Sequence, residues 1–253
     1  MKPSSSSQGK GIFMIDEISE VPLNESLVIS RYIDNPLLIN NLKFDLRLYV
    51  LVTNFDPLKI YVYNEGLVRF ASEPYNLETI KSNVYAHLTN YSINKKSENF
   101  VQNKNLSERD FGNKWSLSAL QSHLERLGID MKSVWSRIYD AIIKSLISVE
   151  GQVVGAIKRV QNSSGGNIKS NCFDLFGFDI ILDSDLKPWI LEVNLSPSLA
   201  FDSPLDFHIK SNLIVDALNI VGIRKFNRRK EGANKHLPNG GNKPVKVLQN
   251  NQA

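Results

Sequence analysis

The sequence is nearly without cysteine. Cys172 stands alone among 253 residues, so no disulfide framework can form, and a reducing compartment fits. No apolar run approaches the roughly 18 residues that a membrane-spanning helix needs. The opening stretch MKPSSSSQGKG is serine-rich, not a basic segment running into an apolar one, so it does not read as a secretory signal. There is no internal repeat. No Ser/His/Asp or Cys/His arrangement suggests a nucleophilic site, and no Gly-Lys-Ser/Thr follows the glycines as a Walker loop requires. What remains is a chain with 42% hydrophobic residues, enough for one large domain or two small ones.

Charge is unevenly placed. Residues 224–253 hold eight Lys or Arg and only Glu231 as an acid, for +7, while the other residues sum to −3. The basic character therefore belongs to a tail, predicted here as a flexible cationic segment over 224–253. Such a segment suits an acidic protein surface or nucleic acid, or no partner at all. Residues 1–223 are predicted to form the folded domain.

Periodicity gives the elements. LVISRYI (27–33) reads as a strand and DNPLLINN as a turn region. LKFDLRLYVLVT (42–53) alternates: Phe44, Leu46, Leu48, Val50 and Val52 share one face, and Lys43, Asp45, Arg47 and Tyr49 the other. KIYVYNEGLVRFA reads as a hairpin turning at Asn64-Glu65-Gly66, with Arg69 in its return strand. Leu117, Leu120, Leu124 and Leu127 mark a helix closed by Gly128. Val134, Ile138, Ile142, Leu146 and Val149 mark a second. Residues 161–171 read as a loop and 204–223 as a closing helix. Strands, helices, hairpin, helix is the order of an α+β fold with a mixed or antiparallel sheet.

The most informative stretch is FGFDIILDSDLKPWILEVN. A turn at Ser184–Lys187 sets Asp183 opposite Pro188 and therefore Asp179 opposite Glu192. Opposed residues share a face about 5 Å apart, and Asn194 lies on it too. Paired carboxylates repel unless a cation separates them. Three hard oxygen donors without Cys or His suit Mg²⁺. An ordinary hairpin with a solvated acidic face is the alternative. Gly9 and Gly11 let backbone amides approach a phosphate, with Lys2 adding charge, although a plain flexible loop is the better reading of these residues taken alone. The Lys43/Asp45/Arg47 face should line water or a ligand, unless it is an exposed sheet face with alternating charges. The Arg69 guanidinium suits a carboxylate. In HLTNYSINKK, His87 reads as structural, and Thr89, Asn90 and Ser92 as ligands or turn caps.

Seven motifs occur in order: KPSSSSQGKGIF, SRYIDNPLLINNLKFDLRLYVLVT, GLVRFA, HLTNYSINKKS, GNKWS, CFDLFGFDIILDSDLKPWILEVNLSPSL and DFHIKSNLI. Together they resemble the tubulin-tyrosine-ligase-like family, and within it the branch that adds glutamates, over roughly residues 1–222. The resemblance implies an ATP-grasp-like fold, of which this chain carries the central and C-terminal portion. It begins where the family already has a strand running into Lys2-Pro3. The implied expectation is an N-terminally truncated chain, without an upstream domain and the first lysine-bearing half of the nucleotide clamp.

The resemblance also implies roles. Lys2, Gln8 and Gly9 would meet ATP phosphates, where the family usually has Arg at the position of Gln8. Ser30, Arg31, Tyr32 and Ile33 would meet adenine. Lys43, Phe44, Asp45, Thr89 and Asn90 would complete the ATP site, and Asp179, Glu192 and Asn194 would bind Mg²⁺. Arg69, Ser92, Lys95 and Lys210 would hold the incoming glutamate. Arg47 would face the acceptor chain, with Arg47 and Arg69 as the catalytic pair. The implied activity is ATP-dependent addition of free glutamate to side-chain carboxylates of acidic tubulin tails, through an acyl phosphate. Implied with it are a cytoplasmic, microtubule or ciliary setting and neither nucleic acid nor membrane as partner. A non-catalytic tubulin-binding module and a glycine-adding relative remain alternatives.

Overall fold

The computed structural model describes residues 1–4, 9–163 and 172–222. The predicted basic tail and the residue at position 8 lie outside these. Two short strands, β1 (Lys2–Pro3) and β2 (Leu27–Val28), pair with each other. β3 (Leu38–Ile39) turns through Asn40 and Asn41, both at positive φ, into β4 (Leu42–Phe55). Asn tolerates this left-handed conformation better than most residues, which suits a two-residue hairpin. β5 (Leu58–Phe70), β6 (Lys114–Ser116), β7 (Asp174–Leu182) and β8 (Pro188–Asn194) complete an antiparallel sheet ordered β6-β5-β4-β7-β8. The observed class is α+β, as the element order predicts.

β4 is central because both of its faces are buried. Phe44, Leu46, Leu48, Val50 and Val52 pack into the main core against the helices α3 (Leu117–Arg126) and α4 (Met131–Ser163). Truncating a fully buried member such as Leu48 or Ile142 to Ala costs about 2–5 kcal/mol. On the opposite face Tyr49 is covered by Leu205, Ile209 and Leu213 of α5 (Pro204–Val221). Tyr49 thus parts from the charged residues that share its face: only the Lys43–Arg47 part of this face does polar work.

Helix ends follow their residues. Ser116 caps α3, its hydroxyl accepting from Ala119 N at 3.1 Å, and Gly128 follows the helix at φ +80°. Ser203 caps α5 by accepting from Asp206 N at 3.2 Å, with Pro204 at the first helical position.

Four sequence expectations change. Only Leu27–Val28 of the 27–33 run is strand. Asn64-Glu65-Gly66 is not a turn: β5 runs straight through it, the chain reverses at Asp56–Pro57, and Leu48 pairs Gly66 while Val50 pairs Val62. Gly66 marks close approach instead, since a Cβ there would stand 2.6 Å from the Arg47 carbonyl oxygen. α4 extends to Ser163, into the expected loop 161–171, whose remainder lies outside the described residues. Finally, Leu127 and Val149 are exposed at 65% and 41%. The α3 stripe ends one turn early, at Leu124, whereas the α4 stripe skips Val149 and runs on through Val153, Val154 and Ile157 against the core.

Candidate active site

The β7–β8 hairpin brings the two acids together by an unexpected route. Leu182 pairs Pro188 and Ile180 pairs Ile190, one residue out of the predicted register near the turn. A bulge at Leu191 then restores Asp179 opposite Glu192. Asp183 is drawn out of the ladder into the turn. Its carboxylate accepts from Asp185 N at 3.0 Å, Lys187 N at 2.9 Å and Trp189 Nε1 at 2.8 Å. Gly177, facing Asn194, admits Pro197 closely: a Cβ would meet it at 2.7 Å.

A cavity of about 450 Å³ opens on this face. Its charged wall joins Lys2, Arg31, Lys43 and Arg69 to Asp45, Asp179 and Glu192. Ser30, Tyr32, Ile33, Thr89 and Asn90 also line it, so twelve of the expected site residues meet there. Its apolar wall, including Met14, Ile15, Ile29, Ile181 and Leu191, suits a flat ring system, and sequence reasoning missed most of it.

The guanidinium groups bind the acids in one network. Arg69 reaches Asp45 with Nε at 2.8 Å and Nη2 at 2.5 Å, and Asp179 with Nη2 at 2.8 Å. Arg47 holds Asp179 through Nε at 2.5 Å and Nη2 at 3.0 Å. Thr89 donates to Asp45 at 2.9 Å. Burial alone would push the Asp179 carboxyl up, but Arg69 and then Arg47 outweigh it and hold it at about 2. Burial lowers Lys43 to about 8 against the partial opposition of Asp45.

Glu192 differs. Its side chain is 40% exposed, meets Lys2 Nζ at 3.6 Å, and accepts from Asn194 Nδ2 at 3.2 Å. Asn194 Nδ2 also donates to the Gly177 carbonyl at 3.2 Å, which leaves its amide oxygen for another partner. Gly9, at φ +74°, sits so close to Asn90 that a Cβ would lie 3.0 Å from its Oδ1.

Three expected site residues gather elsewhere. Lys114 Nζ meets Asp206 Oδ2 at 2.6 Å, and Lys210 lies 3.4 Å from Oδ1 while donating to the Ala200 carbonyl at 2.5 Å. Lys114 and Lys95 approach the Tyr91 ring at 4.5 and 5.2 Å, with Ser92 on the same helix, α2 (Tyr91–Asn94), which follows α1 (Val84–His87). Arg47, bonded to the cavity-lining Asp179, also acts electrostatically on Lys210. Phe44 is a correction: its ring lies in the core at 5.4 Å from Phe70, not at the cavity.

The family model for the tubulin-tyrosine ligase family matches residues 1–230. The chain belongs to that family. Tubulin polyglutamylase ttll-5 of Caenorhabditis elegans is 49% identical over 90% of this chain, and human tubulin polyglutamylase TTLL5 48% over 88%. Mouse tubulin monoglutamylase TTLL4 is 45% identical over 88%. The chain spans less than a third of these relatives, covering 31%, 17% and 18% of their lengths.

Within this tubulin-tyrosine ligase domain, several polar residues escaped sequence reasoning. Lys114 and Asp206 are 92 positions apart, and only their places in GNKWS and DFHIKSNLI hinted at either. Asn94 carries no signal in the sequence. Its Oδ1 accepts from Ser72 N and Oγ, both at 2.8 Å, and its Nδ2 donates to Leu88 O at 2.6 Å and Asn90 O at 3.1 Å, tying the Thr89–Asn90 turn to the end of β5.

Proposed function

We propose that this domain is the ATP-grasp-like part of an ATP-dependent ligase that adds glutamate to side-chain carboxylates of glutamates in tubulin tails. The observation that carries the reading is the juxtaposition, across one cavity, of Lys2, Lys43 and Arg69 with the cross-strand pair Asp179 and Glu192. A triphosphate and a divalent cation need this combination of positive side chains and hard oxygen donors.

The donor set fits Mg²⁺. Asp179 uses three of its roughly four lone-pair positions on guanidinium donors, leaving one on Oδ1. Glu192 and the Asn194 amide oxygen supply the rest. Among the described residues, no cluster of three or more His, Cys, Asp or Glu offers a rival metal site. Bound Mg²⁺ supplies charge neutralisation on phosphate oxygens.

The chain's own residues then have distinct tasks. Lys2 and Lys43, both lining the cavity, offset phosphate charge. The apolar wall with Ser30–Ile33 receives the adenine. Arg47 grips the cavity-lining Asp179 and acts on Lys210 of the Lys114–Asp206–Lys210 cluster, where the carboxylates of the incoming glutamate would be held with Ser92 and Lys95. ATP activates the acceptor carboxylate as an acyl phosphate. The amine of free glutamate attacks that carbon, phosphate leaves, and an isopeptide bond forms. The family membership and the names of the polyglutamylase and monoglutamylase relatives support glutamate, tubulin and the microtubule cytoskeleton.

The test is ATP-dependent incorporation of labelled glutamate into tubulin by the purified protein, with glycine as the competing label. Incorporation of glutamate alone supports the reading. Incorporation of glycine points to a glycine ligase, and tubulin binding without incorporation of either points to a non-catalytic module.

A further inference from the structure

A chain of hydrogen bonds runs away from the cavity wall behind Lys43. Lys43 Nζ donates to the Tyr32 hydroxyl at 3.1 Å and lies 4.5 Å from the centre of the same ring. The Tyr32 hydroxyl stands 2.8 Å from His87 Nδ1, and His87 Nε2 stands 3.3 Å from Thr79 Oγ1. Thr79 gives its own proton to the Asn76 carbonyl at 2.8 Å.

These partners fix the proton positions. The Asn76 carbonyl can only accept, and the Thr79 proton is already committed to it. His87 Nε2 therefore keeps its hydrogen. Nδ1 is then the acceptor for the Tyr32 proton, and the Tyr32 oxygen is turned toward the ammonium of Lys43. His87 is 3% exposed, so water cannot replace these bonds easily.

We propose that His87 is a positioning residue of the nucleotide site, acting through the Tyr32 hydroxyl to hold Lys43 at the cavity wall. It rests on the reading of this cavity as an ATP site. The titratable and charged groups facing the imidazole are Tyr32, Tyr75 with its ring centre 5.2 Å away, and Lys43. The Asp34 carboxylate acts on the two tyrosines rather than on the imidazole. Burial first, and Lys43 second, disfavour the imidazolium. When acid does protonate His87, Nδ1 becomes a donor, the Tyr32 hydroxyl faces two cations, and Lys43 loses its fixed place.

Two measurements test this. Imidazole ¹⁵N shifts of the protein without nucleotide, with His87 assigned by its loss in His87→Asn, should report the Nε2–H tautomer at pH 7.5; the Nδ1–H tautomer would overturn the proposal. MgATP affinity is then titrated by calorimetry from pH 5.5 to 8 for wild type, Tyr32→Phe, His87→Leu and His87→Asn. Tyr32→Phe and His87→Leu should each weaken binding about tenfold or more at pH 7.5. His87→Asn keeps an acceptor near Nδ1, so it should bind within about threefold of wild type and lose the acid weakening that wild type shows. If His87→Leu fails to fold, Tyr32→Phe, which keeps the ring, carries the test. Wild-type binding that Tyr32→Phe leaves within twofold, or an acid limb that persists in His87→Asn, overturns the role of His87 alone. An Nε2–H tautomer in a protein that binds no MgATP overturns the ATP reading of the cavity and this role with it.

Discussion

The two strands of the acidic hairpin each bring one carboxylate to the cavity, and the two live in different surroundings. Asp179 on β7 has a side chain only 4% exposed and is gripped by two guanidinium groups. Glu192 on β8 is 40% exposed and faces one lysine at 3.6 Å. The first is part of what holds the central strands in place. The second, on an edge strand beside a bulge, contributes little to the fold. A strong ion network fixes the floor of the site, and a loosely partnered carboxylate is left to meet a ligand.

Removing each acid separates the two roles. Asp179→Asn leaves Arg47 and Arg69 under-compensated in a buried place. Breaking such a network costs about 3–5 kcal/mol, which thermal unfolding should register as a fall of roughly 6–20 °C. Glu192→Gln should leave the melting temperature within about 1 °C but reduce turnover by about 10²-fold or more, read from labelled glutamate incorporation. A large melting shift in Glu192→Gln, or none in Asp179→Asn, would reverse the comparison.

Acid sharpens it. Asp179 is held at about 2, below its ordinary 3.8, so its contribution is complete above the ordinary value and lost as pH falls through the lowered one. Unfolding measured by denaturant between pH 5 and 2 should lose roughly 2 kcal/mol more in wild type than in Asp179→Asn. Gly66→Ala probes the floor from the other side. Its Cβ would press on the Arg47 carbonyl at 2.6 Å, so stability should fall by about 1–3 kcal/mol, seen as a lower denaturation midpoint. Ser203→Ala, which uncaps α5 without removing either acid of the pair, should cost only about 1 kcal/mol by the same measurement.

Much of this floor was legible in the sequence. The alternation of Phe44 to Val52 against Lys43 to Tyr49 predicts a strand with two distinct faces, and the count across the turn predicts Asp179 opposite Glu192. That count succeeded with a compensating error: Asp183 left the ladder to cap the turn, and the Leu191 bulge put the missing residue back. Asn64-Glu65-Gly66 misled because glycine marks both turns and close backbone approach, and only the neighbouring strand distinguishes them. The Lys114–Asp206 pair and the Lys43–Tyr32–His87 chain were invisible because each joins residues far apart in sequence. The end of the buried stripe on α4 depends on where the sheet stops beneath it, which periodicity does not contain.

The most direct measurement is calorimetric titration of ATP into wild type and Glu192→Gln, with and without Mg²⁺. Wild type should bind ATP more tightly with Mg²⁺ than without, and Glu192→Gln should lose that gain while keeping the Mg²⁺-free affinity. Equal gains from Mg²⁺ in the two proteins would contradict the assignment of the Asp179–Glu192 pair as the cation site.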